Sequence, residues 1–392
     1  MMMINFNEAL TIIDTNINCL QTEVVALRDS LNRVLAEDVY SDLDMPPFNK
    51  SAMDGFACDF NDINNNLEVI ATIAAGTNSN IIIGKNQCVK IMTGAIVPDS
   101  ANCVIMKEDI ELIDNKYIKV IKQSSKRNIC YKGEDIKNGN KILTKGIKIK
   151  SQHIAILASA GKTNPLVYKN PSIAVISTGD ELVEPEVFPK LSQIRNSNGW
   201  QMTSQIISCG LNADYKGIAN DDLNNIITKV ELSLKNNNLV LLSGGVSVGD
   251  YDFVPEAIKT LGFKVLFHGI NMKPGKRILV AKKDDKYIVG MPGNPVSSLI
   301  QFELIVKAMI RKFTGMNVFE KAVSVKLLSD YNRKKGEKME LVPVKLYDQG
   351  VDIVNYNGSA HIHAYSIADG FMQIPENITQ IKKGDSVNVR FI

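Results

Sequence analysis

Between residues 171 and 313, short apolar runs alternate with stretches of helical spacing, and this restricts the fold more than anything else in the chain. The runs at 173–176, 239–242, 265–267 and 288–289 read as buried strands, with 215–219 as a shorter companion. Between them, 197–209, 223–234, 254–261 and a long stretch from 295 to about 313 read as helices. Strands that are apolar on both faces and separated by helices predict a parallel, doubly wound sheet.

The flanking regions have other textures. From 5 to about 165, Leu10, Ile13 and Ile17, then Leu27, Leu31 and Leu35, recur at helical spacing. Short β-like runs follow at 67–73 and 103–106, broken by turn clusters such as Asn64-Asn65-Asn66. From about Asn317, strands without helices are predicted at 322–328, 340–347, 351–356 and 387–392. A small β-barrel or sandwich of about 75 residues fits this pattern. The expected fold class is therefore multidomain α/β plus β, divided at 1–168, 169–315 and 316–392.

Composition closes off several classes of function. The 392 residues carry 45 basic and 42 acidic side chains, a net charge of +3, which argues against a polyanion-binding protein and so against nucleic acid. No apolar run is long enough for a membrane span, and MMMINFNEAL lacks the features of a secretory signal, so a cytoplasmic location is expected. Cysteines 19, 58, 88, 103, 130 and 209 are widely spaced, with no CxxC pair, and read as reduced packing residues.

In an open parallel sheet, ligands bind beyond the carboxyl ends of the strands. The first predicted strand leads into Ser177-Thr178-Gly179-Asp180-Glu181, the second into Asp221-Asp222, and the third into Ser243-Gly244-Gly245 and on to Asp252. The last leads into Met291-Pro292-Gly293-Asn294-Pro295-Val296-Ser297-Ser298. Gly244 and Gly249 have GxxxxG spacing, but Asp250 stands where a P-loop lysine would be. Asp250 and Asp252 suit a Mg²⁺ bridging phosphates, and equally suit the N-terminal turn of a helix. Lys273-Pro274-Gly275-Lys276-Arg277 offers two lysines around a turn, enough to surround a small tetrahedral anion. Ser197 or Asn198 is the expected cap of the helix that opens at 197. His361 and His363 are expected to share one face of a strand and do not form a ligand set with the other two histidines.

Seven ordered motifs, PPFNKSAMDG (46–55), IMTGA (91–95), KGED (132–135), STGDEL (177–182), SGGVSVGD (243–250), MKPGK (272–276) and MPGNPVS (291–297), together resemble the molybdopterin molybdenumtransferases. These are the MoeA proteins and their relatives, the plant Cnx E domain and the gephyrin E domain. The resemblance implies a homodimer whose subunits have a small domain inserted in the N-terminal region (about 48–140), a central α/β molybdopterin-binding domain and a C-terminal β-barrel. It implies a Mg²⁺-dependent transferase that takes molybdate and adenylyl-molybdopterin and releases AMP and molybdenum cofactor. A molybdopterin adenylyltransferase and molybdoenzyme chaperones are the implied partners.

Carried over by motif, Asp252 and Asp222 resemble metal- or phosphate-side carboxylates, and Glu181 resembles the family's functional glutamate. Ser177, Thr178, Gly179, Ser197, Asn198, Ser243, Gly244 and Gly245 fall on the pterin side. Lys273, Lys276 and Ser297 match molybdate positions, with Pro292, Gly293, Asn294 and Pro295 shaping their loop and Ser359 near the same cleft. Asp54, Thr93 and Asp135 match functional positions that complete the cleft across the dimer. The chain departs from the family pattern at Gly269, Lys338, Pro343 and Cys130, which bears on the outer anion contacts. Two other readings remain: molybdopterin adenylylation, because the α/β domain is shared with those enzymes, and a non-catalytic molybdopterin carrier or scaffold. The adenylyltransferases usually show a TGGTG-type loop, whereas this chain reads Ser243-Gly244-Gly245-Val246-Ser247.

Overall fold

The computed structural model describes residues 3–77, 80–122, 126–246, 252–356 and 358–392. Three six-stranded sheets organise the chain. The first is built from β1 (Gly55–Cys58), β2 (Leu67–Ile73), β3 (Gln87–Ile91), β4 (Cys103–Met106), β5 (Ile110–Leu112) and β6 (Tyr117–Val120), in the order β4-β1-β3-β2-β6-β5. Only the β2–β3 pair is parallel. Its two faces carry separate cores, one around Phe56, Leu67 and Ile118 and the other around Ile73, Val89 and Val104.

The central sheet holds β7 (Ile173–Thr178), β8 (Ala213–Ala219), β9 (Leu239–Ser243) and β10 (Lys264–His268). After the two-residue β11 (Met272–Lys273), which pairs elsewhere, come β12 (Leu279–Lys283) and β13 (Lys286–Met291). The order is β8-β7-β9-β13-β12-β10. Alternate residues along β7 and β9 point to opposite faces. Ile173, Val175, Leu239 and Leu241 pack with Leu10 and Ile13 of α1 (Phe6–Asn16) and with Met202 and Ile206 of a helix at 197–208. Ala174, Ile176, Val240 and Leu242 pack against Ile226, Val230 and Ile258 on the other side. Both faces are covered, which explains the unbroken aliphatic runs.

The sheet is not wholly parallel, a correction to the expectation. β7, β8, β9 and β13 are parallel, but β12 is antiparallel to β13, and β10 is antiparallel to β12. The cause is a tight hairpin at Asp284-Asp285, with Asp284 in the left-handed region at φ 52°. Two reversals restore the direction of β10, so its carboxyl end still reaches the common rim.

The helices are α2 (Ser151–Ser159), α3 (Ser197–Ser208), α4 (Leu223–Asn236) and α5 (Val254–Thr260). A rod follows in which α6 (Pro295–Gln301) passes through a π-turn (Phe302–Val306) into α7 (Lys307–Phe313). The second helical stretch expected near the N-terminus is absent. Leu27–Asp29 makes one 3₁₀ turn, Leu31 is exposed, and Leu35 is buried in a bridge to Val167. The backbone amides of Leu27 and Leu35 donate to Thr163 and Ile147, so this segment pairs with distant chain instead of coiling on itself.

The third sheet runs β11-β15-β17-β18-β14, from β14 (Val323–Lys326), β15 (Met339–Tyr347), β16 (Gly350–Ile353), β17 (Gly370–Ile374) and β18 (Ser386–Phe391), with β16 paired to β15. A bridge between Leu327 and Val351 brings the end of β14 back toward β16. His361 and His363 fall on a 3₁₀ turn (Ile362–Ser366) and its approach, and not on a strand as expected, because the amide of His361 turns back to Gly358. Among the described residues, no helix is long and apolar enough to cross a membrane.

Gly55 marks the tightest point of the first sheet. A Cβ there would lie 1.8 Å from the Ile105 carbonyl oxygen, because β1 is held between β3 and β4. Gly55→Ala should therefore cost at least about 3 kcal/mol, the upper end of ordinary overpacking costs. Urea denaturation of the variant beside the parent chain measures this.

Candidate functional site

The carboxyl ends of β7, β8, β9 and β13 meet in a small, polar rim. Thr178 Oγ1 donates to the Ser243 carbonyl at 3.2 Å, and the Gly244 amide to the Met291 carbonyl at 3.2 Å. Gly244 and Gly245 have φ of +99° and +63°, and a Cβ on Gly244 would sit 2.7 Å from the Thr178 carbonyl. Only glycine fits there. The chain from Ser247 to Tyr251, including the expected Asp250, lies outside the described residues.

The cap of α3 is Asn196, not Ser197 or Asn198. Its Oδ1 accepts from the Gly199 amide at 3.1 Å and from Ser177 Oγ at 2.9 Å. Asn198 is thereby free to bridge strands, and its Nδ2 donates to Ser243 Oγ at 2.9 Å and to the Gly293 carbonyl at 2.8 Å. Its Oδ1 is buried and has no hydrogen-bond partner. Behind Asn196, its Nδ2 donates to Tyr215 Oη at 2.7 Å, Tyr215 donates to Glu184 at 2.6 Å, and Trp200 Nε1 donates to the same carboxylate at 3.0 Å. Nothing in the local pattern marks Glu184 and Tyr215, because their partners come from other segments.

On the β7–β8 side, carboxylates gather. Asp180 and Asp221 exchange backbone amides, at 3.1 Å and 3.4 Å. Burial pushes the Asp221 carboxyl above the usual carboxylate range, and the charges of Asp180, Glu181 and Asp252 add to this, while the Asp180 amide opposes it. Asp222, one of the expected metal-side carboxylates, instead caps α4, accepting from the Asn225 amide at 2.8 Å. Among the described residues, no three ligating side chains share one coordination sphere. The set fits a hard dication such as Mg²⁺, which takes one or two carboxylates and completes its shell with water and substrate phosphate.

On the β10–β13 side, the opposite charge gathers. A cavity of about 250 Å³ is lined by Lys273, Lys276, Arg277, Pro292, Asn294, Ser297, Lys338, Tyr356 and Ser359, among others. The 273–277 turn is held from below, where Gln301 Nε2 donates to Met272 Sδ at 3.0 Å and to the Gly275 carbonyl. Asn294 Nδ2 donates to Ser359 Oγ at 3.0 Å, and the Val296 amide to the Ser359 carbonyl at 3.1 Å, which docks the C-terminal segment onto the rim. Ser297 is buried in the first turn of α6, directly after Pro295. Lys273 pairs with Glu340 at 3.3 Å, whereas Lys276 has no ion-pair partner among the described residues. Arg277 comes with the 273–277 turn, whereas Lys338, noted only as a departure from the family pattern, and Tyr356, not singled out, are brought in by the β11–β15 pairing and a distant loop.

Asp54 and Thr93 are joined in the N-terminal region, and Asp135 lies on another of its turns. Asp54 accepts from the Thr93 amide and hydroxyl, both at 2.8 Å, and lies 3.9 Å from Lys107. Those two Thr93 bonds, then the lysine charge, hold its carboxyl below the usual range. Asp135 is exposed, and its amide donates to the Met45 carbonyl at 3.0 Å. These hydrogen bonds stay within the N-terminal region, and the structure does not bring the trio to the rim of the same chain.

Comparison with known proteins matches three family models in order: the MoeA N-terminal region (domains I and II) over residues 4–161, the probable molybdopterin binding domain over 174–312, and the MoeA C-terminal region (domain IV) over 324–392. A molybdopterin molybdenumtransferase of Staphylococcus epidermidis is 35% identical over 379 residues, covering 93% of this chain and 90% of its own. One from Staphylococcus aureus is 36% identical over 378 residues, with the same coverage. The crystal structure of the MoeA molybdopterin biosynthesis protein of Pyrococcus horikoshii superposes with a TM-score of 0.83, at 26% identity and over 100% of both chains.

Because the Asp221 carboxyl is raised, the folded chain holds its proton more tightly than the unfolded chain does. Stability from this group is present below the ordinary carboxylate range and is lost as pH rises through the folded value. Asp221→Asn should therefore be more stable than the parent at neutral pH. The gain should vanish when both are unfolded by urea near pH 4.

Proposed function

The chain belongs to the MoeA family of molybdopterin molybdenumtransferases, transferases of molybdenum cofactor biosynthesis, and from that premise we propose that it transfers molybdenum from molybdate to adenylyl-molybdopterin with release of AMP. One observation carries this reading. A single rim holds carboxylates on the β7–β8 side and a cationic cavity on the β10–β13 side. A phosphoanhydride with its cation needs the first, and a tetrahedral oxyanion needs the second.

In this reading, Gly179, Gly244 and Gly245 let the backbone approach the anhydride without side-chain obstruction. Asn198 and Ser243, already locked to each other, set the floor on which the pterin rests. Asp252 and Asp221, with Glu181 beside them, would hold Mg²⁺. When bound, that ion supplies charge neutralisation for the anhydride phosphates and for the AMP leaving group. No protein nucleophile is required, since phosphoryl chemistry depends mainly on positioning and electrostatic stabilisation. Lys276, Lys273 and Lys338 neutralise the molybdate charge, while Ser297 and Ser359 orient its oxygens. Asp54, Thr93 and Asp135 reach this cleft from the second copy in a homodimer, and a molybdopterin adenylyltransferase supplies the substrate.

AMP release from adenylyl-molybdopterin, measured with and without molybdate at fixed Mg²⁺, tests the reaction. Molybdate-dependent release with active cofactor formed supports it, and tight pterin binding without release overturns it. Lys276, having no ion-pair partner among the described residues, should matter most for the oxyanion. Lys276→Ala should raise the molybdate concentration for half-maximal release about 10- to 100-fold, the worth of one charge-assisted contact, with little change in the maximal rate. Asp252→Asn should suppress AMP release at all molybdate concentrations and leave the thermal midpoint near that of the parent.

A further inference from the structure

We propose that Cys58 and Cys103 are a peroxide-responsive dithiol that closes to a disulfide between β1 and β4. The two residues are direct partners in the antiparallel ladder, and their sulfur atoms lie 3.5 Å apart in a buried position. Partners across an antiparallel pair have Cα separations of about 4.5–5.5 Å, inside the range that a disulfide spans. Rotation of the two side chains closes the remaining gap without moving either strand.

A third cysteine makes the pairing selective. Cys88 faces Cys58 from the other flank, on β3. Burial alone pushes its thiol up to about 12, so it does not supply the thiolate that meets peroxide, and it is Cys58 whose sulfur lies 3.5 Å from Cys103. Cys103 is the opposite case. The hydrogen bond from Cys58 lowers it, and the Arg127 charge adds to that against burial. The Arg127 guanidinium lies over the Phe60 ring at 3.6 Å. Cys58 is driven up by the same hydrogen bond and by burial, so it remains the thiol of the pair. The pair also closes the end of the ladder, next to Asp59 and the exposed Asn102, where solvent begins.

The chemistry balances with a hydroperoxide as oxidant. The Cys103 thiolate attacks one peroxide oxygen, the O–O bond breaks, and Cys103 becomes a sulfenic acid as hydroxide leaves. Cys58 then attacks that sulfur, the S–S bond forms, and the sulfenic oxygen departs as water with the Cys58 proton. Two thiols and one hydrogen peroxide give one disulfide and two waters, and a thiol reductant reverses the change. Asp54 immediately precedes β1 and Lys107 immediately follows β4, so the cross-link would pin the ladder at the end opposite that ion pair.

The full chain, treated with hydrogen peroxide and then alkylated under denaturing conditions, tests this. The expected result is two fewer alkyl groups on the oxidised chain than on the dithiothreitol-treated chain, and a mapped peptide joining Cys58 to Cys103. The oxidised chain should melt about 5 °C higher, because the bridge closes a long loop. Cys88→Ala should keep the cross-link, and Cys103→Ala should lose it. Three results overturn the proposal: a link from Cys58 to Cys88, two added oxygens on Cys103 with no link, or an unchanged Cys58–Cys103 pair at a dose that fully oxidises the exposed Cys19. Mapping of the parent chain decides among these even if a variant fails to fold.

Discussion

A strand buried on both faces has no place for a charged side chain along its length, so polar chemistry is displaced to the strand ends. In this chain that constraint is nearly complete for β7 and β9, which are buried at every position. The helices that cover the two faces differ in kind. On one side stand α1, α3 and the long rod, and on the other α4 and α5. Asn198 converts this covering into a site. By donating to Ser243 and to the Gly293 carbonyl, it fixes the first turn of α3 to the ends of β9 and β13. The Gly244-Gly245 and 292–297 loops leave the sheet from the two strand ends that it joins.

The rim separates charge that the net value conceals. A chain balanced at +3 holds a crowded carboxylate group at one end of the rim and a group of cations at the other. Each group alone would be costly. Asp221 already holds its proton more tightly because it is buried beside other carboxylates, and Lys276 has no ion-pair partner among the described residues. Substrates that bring a cation to one group and a dianion to the other relieve both, which is where binding energy is available.

What could be read from sequence follows the range of the interaction responsible. The aliphatic strands of the central sheet and the helices between them were legible because burial on both faces leaves an unmistakable run. β12 was not, since it is one arm of a hairpin whose turn, Asp284-Asp285, resembles an ordinary polar loop. The same limit explains the false helix at Leu27–Leu35, where apolar spacing is satisfied by pairing with Ile147, Thr163 and Val167. In the site, motif order pointed to Lys273, Lys276, Ser297 and Ser359, and these do line one cavity. Asp222, expected on the metal side, also caps α4, a local role that its place just before the helix signals. Asp54, Thr93 and Asp135 carried the same motif strength, yet no hydrogen bond joins them to the rim, and no local signal says what they face.

One short element has a wider consequence. β11 leaves the central sheet after β10 and joins the C-terminal sheet, where Met272 and Lys273 pair with Met339 and Glu340. The cationic cavity is therefore split along the chain, with its floor in one globular unit and its wall, including Lys338, Tyr356 and Ser359, in another. Such a site cannot be inherited piecemeal. A recombination event that exchanged the C-terminal unit for that of a distant relative would have to preserve two residues of strand register as well as the wall. A change on either side of the seam thus alters the same cavity, which makes floor and wall one unit for exchange even though they lie far apart in the chain.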